Sequence, residues 1–183
     1  MTNGNDPRAE KRKKMEKILV FAVILVGLVM IWYIKNYDNS KDQAVAERES
    51  SEFALHVTGK IDLEKLKSHG LPIIIDFGAD SCAPCKEMAP VLEELNETLR
   101  GKAIIKFVDV WKYQDLAEGY PVRVIPTQVL FDNEGKPYVP EAGSSLQMQM
   151  YSSRDTEEHV FTTHEGGLTK SQLLEILKEM GMK

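Results

Sequence analysis

Two cysteines separated by two residues are the side chains of this 183-residue sequence best suited to chemistry. Cys82 and Cys85 follow an apolar run of strand length and open a stretch with helical periodicity. The unpaired N–H groups and the macrodipole of a helix N-terminus favour a thiolate. We therefore predict a redox dithiol in which Cys82 is the exposed nucleophile and Cys85, one turn inward, attacks the mixed disulfide.

Other uses of the cysteine pair fit this sequence less well. A zinc site needs about four ligands, and the four histidines are scattered along the chain. A disulfide that closes so short a loop restrains little unfolded-state entropy, so a purely structural bond would contribute little. Met148 and Met150 could act as Cu(I) ligands, but their alternation with glutamines more simply predicts a half-buried strand. We expect no metal and no cofactor beyond the redox-active disulfide.

A single carboxylate interrupts the apolar run that precedes the dithiol. Burial in a strand would raise the pKa of Asp76 towards the range of a general base. The alternative is an aspartate that marks the end of the strand and faces water.

The elements that would position these residues alternate between strands and helices, which predicts an α/β fold. A parallel β-α-β unit is expected first, and a turn at 133–136 then adds antiparallel strands, so the sheet should be mixed. Trp111, Tyr113 and Tyr120 could line a substrate surface, but we expect them to pack around a short helical turn. The predicted strands are 72–78, 102–110, 126–132 and 159–167, and the predicted helices are 63–69, 83–99, 114–118 and 168–181.

The N-terminal part of the chain has the pattern of a membrane segment. Residues 18–34 contain no charged side chain, and a helix of that length reaches ~26 Å across a hydrocarbon core of ~30 Å. Residues 1–17 carry six basic and three acidic side chains, so the positive-inside rule places them in the cytoplasm and the chain after Lys35 outside it. A buried core helix and a secretory signal cleaved at Ala44-Val45-Ala46 are the alternatives.

The remaining chain divides into a polar linker, residues 35–52, and a folded domain, residues 53–183. The net charge of −5 argues against a nucleic-acid-binding surface.

Three segments of this domain resemble the thioredoxin family. DFGADSCAPCKEMAP (76–90) is similar to its active-site segment, VRVIPTQVLF (122–131) to its cis-proline segment, and HEGGLTKSQL (164–173) to its last strand-to-helix corner. The resemblance implies a thioredoxin-like fold, with a central mixed sheet flanked by helices, here preceded by one N-terminal transmembrane helix. An extra segment at about 136–160 lies beyond the family pattern.

The resemblance also implies roles for individual residues. Asp76 would accept the proton of Cys85, and Pro126 would be a cis-proline that faces the dithiol. The alternative for Pro126 is an ordinary trans proline at the start of a strand. The backbone of Ile125 would pair with an extended client segment, which would also lie against Ala83 and Pro84.

The sequence departs from the family around the dithiol. Ser81 and Gly78 stand where the family has tryptophans, and Phe107 stands where it has a lysine close to the buried aspartate. Lys106 should point to the other face of the sheet. Without that cation, Asp76 should be harder to ionise.

The function expected from this resemblance is that of a membrane-anchored, extracytoplasmic thiol–disulfide oxidoreductase that reduces protein disulfides. Its partners would be exported client proteins that contain disulfides and a polytopic membrane thiol carrier as electron donor. The alternatives are an oxidase that donates its disulfide, and a non-catalytic binding module that uses the segment at 136–160.

Overall fold

The computed structural model describes residues 25–30 and 52–183. The chain divides into two units, Met1–Glu49 and Ser50–Lys183. Residues 25–30 are helical and exposed. Across both described ranges, no helix combines the length and the apolar character needed to cross a membrane. The expected membrane segment at 18–34 lies outside the described residues apart from 25–30, as do the basic tail at 1–17 and nearly all of the linker.

The second unit is built on a five-stranded sheet with the strand order β2-β1-β3-β5-β4. Strands β1 and β2 are parallel, and the other neighbouring pairs are antiparallel. The predicted α/β fold with a mixed sheet and flanking helices is therefore confirmed. In chain order the elements are α1 (Leu63–Ser68), β1 (Ile73–Gly78), α2 (Ala83–Thr98), β2 (Ile104–Asp109), a 3-10 helix (Gln114–Ala117), β3 (Thr127–Phe131), β4 (Met148–Ser152), β5 (His159–Glu165) and α3 (Lys170–Glu179).

Strands β1, β2 and β3 are buried on both faces of the sheet. This explains why their sequences are continuous apolar runs instead of alternating ones. On one face Ile74, Ile105 and Leu130 pack with apolar residues of α2 and α3. On the other face Ile75 and Val129 pack with residues of α1 and the 3-10 helix. The active-site helix α2 is thus fixed against the face to which Asp76 belongs.

Local sequence signals determine where the outer helices begin. The side chain of Asp62 accepts a hydrogen bond from the backbone N–H of Lys65 at 3.1 Å, which caps α1. Thr169 and Gln172 form a reciprocal capping box at the start of α3. The residue types and their spacing are sufficient to identify both caps.

The segment at 136–160 adds an edge strand to the sheet. Strand β4 pairs with β5, and Leu146 and Met148 pack against the core. Met150 does not, because its side chain is 60% exposed. The expected strand is thus present, but the expectation that Met150 lies on its buried face is wrong.

The aromatic residues near the short helical turn also behave differently from one another. Tyr113 and Tyr120 pack against the core beside the 3-10 helix, as expected. Trp111 is 59% exposed, so the expectation that it packs there is wrong.

Candidate active site

The dithiol lies where β1 turns into α2. Cys82 is the N-cap residue of α2 and has an extended backbone conformation, and a proline follows within the first turn. Pro84 suits that place because the N–H it lacks would have no partner inside the helix. Cys82 and Cys85 are joined as a disulfide with Cα atoms 5.3 Å apart. The first turn contains no acidic residue, so its N–H groups are left to stabilise a thiolate.

The two cysteines differ little in exposure in this oxidised form. Cys82 is 9% exposed and Cys85 is 3% exposed. The expectation of an exposed Cys82 is wrong for the disulfide form, because its side chain packs with Ala79, Cys85 and Ile125. Ala83 and Pro84, between the cysteines, are exposed.

A loop with a cis peptide bond faces the disulfide. The Ile125–Pro126 bond is cis, and the carbonyl oxygen of Ile125 lies 4.0 Å from Sγ of Cys82. The carbonyl oxygen of Pro126 accepts a hydrogen bond from the N–H of Gly166 at 2.9 Å, which ties this loop to the end of β5. The structure thus brings Ile125 and Pro126 together with the two cysteines.

Asp76 is fully buried in the middle of β1. Its neighbours across the sheet are Phe107 in β2 and Gln128 in β3. Burial raises the pKa of Asp76 to about 7, although a hydrogen bond from Gln128 opposes the shift. The carboxyl group is therefore poised near neutral pH, where a general base is most effective.

The carboxyl group of Asp76 and the sulfur of Cys85 both approach the same side of Gly78. A Cβ atom placed on Gly78 would lie 3.2 Å from Sγ of Cys85 and 3.4 Å from Oδ2 of Asp76. The same Cβ would lie only 2.9 Å from Cε2 of Phe107, which is too close for unstrained packing. Two departures from the family pattern, at 78 and 107, are thus parts of one arrangement in which a phenylalanine ring covers a glycine.

Lys106 lies on the opposite face of the sheet from Asp76, as expected. It pairs with Ile75 in the β1–β2 register, and its ammonium group donates to the carbonyl oxygen of Ala54 at 2.7 Å and contacts that of Glu52. Burial lowers the pKa of Lys106 to about 8. This cation therefore holds the start of the domain and does not serve Asp76.

Asp109, at the end of β2, organises the loop beside the dithiol. Its carboxylate accepts backbone hydrogen bonds from Asp80 at 3.1 Å, Trp111 at 3.0 Å and Lys112 at 3.1 Å. Burial alone would raise the pKa of Asp109, but these hydrogen bonds and the Lys112 charge lower it. The exposed indole of Trp111 is thereby held in a loop tied to the residues that precede Cys82.

Sequence reasoning missed one residue of this site. Gln128 is a fully buried amide next to Asp76, and its only signal was one polar residue within an apolar strand. Trp111, 59% exposed, instead fits the alternative in which it lines a surface.

Comparison with known proteins agrees with this geometry. The family model described as Thioredoxin matches residues 55–151. Thioredoxin C-2 of Corynebacterium nephridii is 42% identical over 79 residues, which are 43% of this chain and 72% of that protein. The chloroplastic thioredoxin Y of Oryza sativa subsp. japonica is 38% identical over 74 residues, which are 40% of this chain but only 44% of that protein. The solved structure of a mutant thioredoxin from Halobacterium salinarum NRC-1 has 27% identity and a TM-score of 0.48, with 70% of this chain and 91% of that chain covered.

The fold and the cysteine pair define a thiol–disulfide oxidoreductase domain, since Cys82 and Cys85 adjoin as in a CxxC active site. The match to more than half of the chain shows that the protein belongs to the thioredoxin family.

Proposed function

We propose that this protein reduces disulfides in client proteins. The observation that carries the proposal is the arrangement of the Cys82–Cys85 disulfide at the start of α2, opposite a cis-proline loop and beside a buried carboxyl group. The helix terminus would stabilise the attacking thiolate, and Asp76 would accept a proton when the inner cysteine reacts.

The reaction proceeds through one mixed disulfide. The Cys82 thiolate attacks a client disulfide, so a bond forms between Cys82 and one client sulfur while the other client sulfur leaves with the electron pair and takes up a proton. Cys85 then loses its proton to Asp76 and attacks Sγ of Cys82. The second client sulfur leaves, the client has gained two electrons, and the enzyme has become the disulfide. A dithiol donor must reduce the enzyme again.

The client would dock across the surface around the cis-proline loop. Ile125 would offer its backbone to an extended client segment, as strand-addition recognition requires, and Ala83 and Pro84 would lie against the same segment. Val124 and Trp111 are 51% and 59% exposed, and they add apolar surface for client contact. Positions 78 and 81 are glycine and serine here and offer no indole to a client. Among the residues that the structure describes, Trp111 is the tryptophan held beside the active-site loop.

The protein would act outside the cytoplasm while anchored in the membrane. Support comes from the uncharged segment at 18–34 and from the basic residues that precede it. Within the described helix at 25–30, Leu25, Val26 and Met30 are each 61% exposed, as apolar side chains that meet lipid would be. A polytopic membrane thiol carrier would supply the electrons, because an exported reductase needs a donor that reaches across the membrane.

The mechanism is tested by capturing its intermediate. In the Cys85→Ser variant, Cys82 still attacks but the mixed disulfide is not resolved, so the full-length protein should accumulate covalent adducts that dithiothreitol releases. Cys82→Ser is the matched control and should form none. A Cys85→Ser protein that forms no adduct with insulin or any cellular protein would refute the proposal.

The direction of electron flow is tested by the reduction potential. Equilibration of the full-length protein with glutathione buffers should give a value near the ~−270 mV of a reducing thioredoxin. A value near ~−120 mV would instead identify an oxidase that donates its disulfide.

A further inference from the structure

A buried amide holds one oxygen of the buried carboxyl group. Nε2 of Gln128 donates to Oδ1 of Asp76 at 2.7 Å and to the carbonyl oxygen of Gly166 at 3.2 Å. Both side chains are fully buried, and they are direct neighbours in the antiparallel β1–β3 register. The two N–H bonds of the amide are therefore both used by fixed acceptors.

This pairing fixes the orientation of the amide. A flipped Gln128 would turn its carbonyl oxygen towards Oδ1 of Asp76 and the oxygen of Gly166, and neither of these can donate when the carboxyl is ionised. With the amide held in this way, Oδ1 already accepts a hydrogen bond. Oδ2 has no hydrogen-bond partner within the described residues.

The carboxylate oxygen without a hydrogen-bond partner, Oδ2, is the one that approaches Gly78 on the side of Cys85. Oδ2 of Asp76 and Sγ of Cys85 lie 3.4 Å and 3.2 Å from the same point, the Cβ position above Gly78. A buried acceptor without a donor is unfavourable, so a proton that arrives at Oδ2 relieves that cost.

We propose that Gln128 is a positioning residue that reserves Oδ2 of Asp76 for the proton of Cys85. The S–H bond of Cys85 breaks, an O–H bond forms at Oδ2, and the thiolate uses its electron pair to attack Cys82 while the client sulfur leaves. The inference rests on the proposed role of Asp76 as the proton acceptor.

The surroundings of the pair contain few other titratable groups. From α2 the facing residues are Cys85 and Met88, and β2 contributes Phe107. On β5, His164 is the cross-strand neighbour of Gln128, and its Nδ1 lies 3.1 Å from the carbonyl oxygen of Gln147. From α3, the apolar residues Leu173, Ile176 and Leu177 belong to the buried cluster that also contains Met88 and Phe107.

The test measures the two chemical steps separately in the full-length reduced protein. Dithiobis-nitrobenzoate is attacked first by Cys82, which releases one coloured thiol, and Cys85 then releases the second. Gln128→Met keeps an unbranched side chain of similar length but removes the donor. We expect an unchanged first phase and a second phase slowed about 2- to 10-fold at pH 7, which corresponds to the loss of one net hydrogen bond.

A titration distinguishes positioning from packing. The hydrogen bond from Gln128 lowers the pKa of Asp76, so Gln128→Met should raise the midpoint of the carboxyl carbon followed by 13C NMR. The pH profile of the second phase should shift upward with it. Thr163→Val is the matched control, because it removes another buried hydroxyl hydrogen bond, to Gln149 at 3.4 Å, and it should leave both unchanged.

The outcomes separate this inference from the proposed function. If Gln128→Met matches the wild type in both the titration and the second phase, or changes them only as Thr163→Val does, the positioning role is wrong. If Asp76→Asn leaves the second phase unchanged, the proposed proton acceptor itself is wrong. If each variant alone slows the second phase, the double variant should be no slower than Asp76→Asn alone, because Gln128 acts through Asp76.

Discussion

Asp76 is the residue of the site whose charged form is most disfavoured by burial. It lies in an apolar sheet interior, and the neighbour that could have been a lysine is Phe107. Because burial favours the neutral carboxyl, the folded protein holds a proton that the unfolded chain releases. Catalytic readiness at this position therefore has a cost in stability, as is common for functional sites.

This cost predicts how stability depends on pH. The pKa of Asp76 is about 7 in the folded protein, whereas an aspartate that is not buried has a pKa of 3.8. The free energy of unfolding should thus fall as the pH rises from about 4 to about 7 and then level off, because only the folded state binds the proton in that range. Asp76→Asn should remove this dependence and stabilise the oxidised protein more at pH 8 than at pH 4.5. Urea unfolding at both pH values measures the difference, and an equal effect at both would contradict the prediction.

The contact between Gly78 and Phe107 makes a second prediction at this scale. Gly78→Ala should destabilise the protein by about 1–3 kcal/mol, because the new Cβ overpacks the site at 2.9 Å from the phenylalanine ring. Phe107→Leu removes the ring edge that causes the clash. In a double-mutant cycle the Gly78→Ala cost should therefore be smaller in the Phe107→Leu background. Additive costs in denaturant unfolding would show that the clash is relieved elsewhere.

At the scale of elements, the end of β2 controls the loop beside the dithiol through Asp109. Asp109→Asn keeps the shape but loses the charge that three backbone N–H groups bind. The expected loss is about 1.5–3 kcal/mol near neutral pH, typical of hydrogen bonds to a charged group. Since the folded pKa of Asp109 is lowered, the difference from wild type should be full above the unfolded pKa and should vanish as the pH falls through the folded value. Thermal unfolding over a series of pH values from 7 downward checks this, and a difference that does not shrink as the solution becomes more acidic would contradict it.

The elements also show what sequence alone could predict. Strands β1 to β3, α2 and the capping box of α3 were predictable because apolar runs, helical periodicity and capping spacing are local signals. The Asp76–Gln128 contact was not, since it depends on the register between two strands that are 52 positions apart in sequence. Met150 and Trp111 failed for a related reason: an apolar residue is buried only where another element covers it. Met150 lies on the edge strand and Trp111 in a loop.

At the scale of the whole chain, charge is distributed between two parts of opposite sign. The six basic residues before position 18 outnumber three acidic ones, whereas the chain as a whole has a net charge of −5. Basic residues directly before an uncharged segment are the part of this distribution that the positive-inside rule associates with the cytoplasmic side of a membrane.

This distribution predicts that the dithiol lies outside the cytoplasm. Thiol labelling can test this, since Cys82 and Cys85 are the two cysteines of the sequence. After reduction in intact bacterial cells, a membrane-impermeant maleimide should label Cys82 and Cys85, and the labelled protein should stay in the membrane after alkaline extraction. Replacement of Lys11, Arg12, Lys13 and Lys14 by glutamine weakens the retention of the tail in the cytoplasm. The labelled fraction should then fall, while a permeant maleimide labels both proteins equally. Labelling by the permeant reagent alone in the unaltered chain would mean that the dithiol works inside the cell, and labelled protein released by alkali would indicate a cleaved segment in place of an anchor.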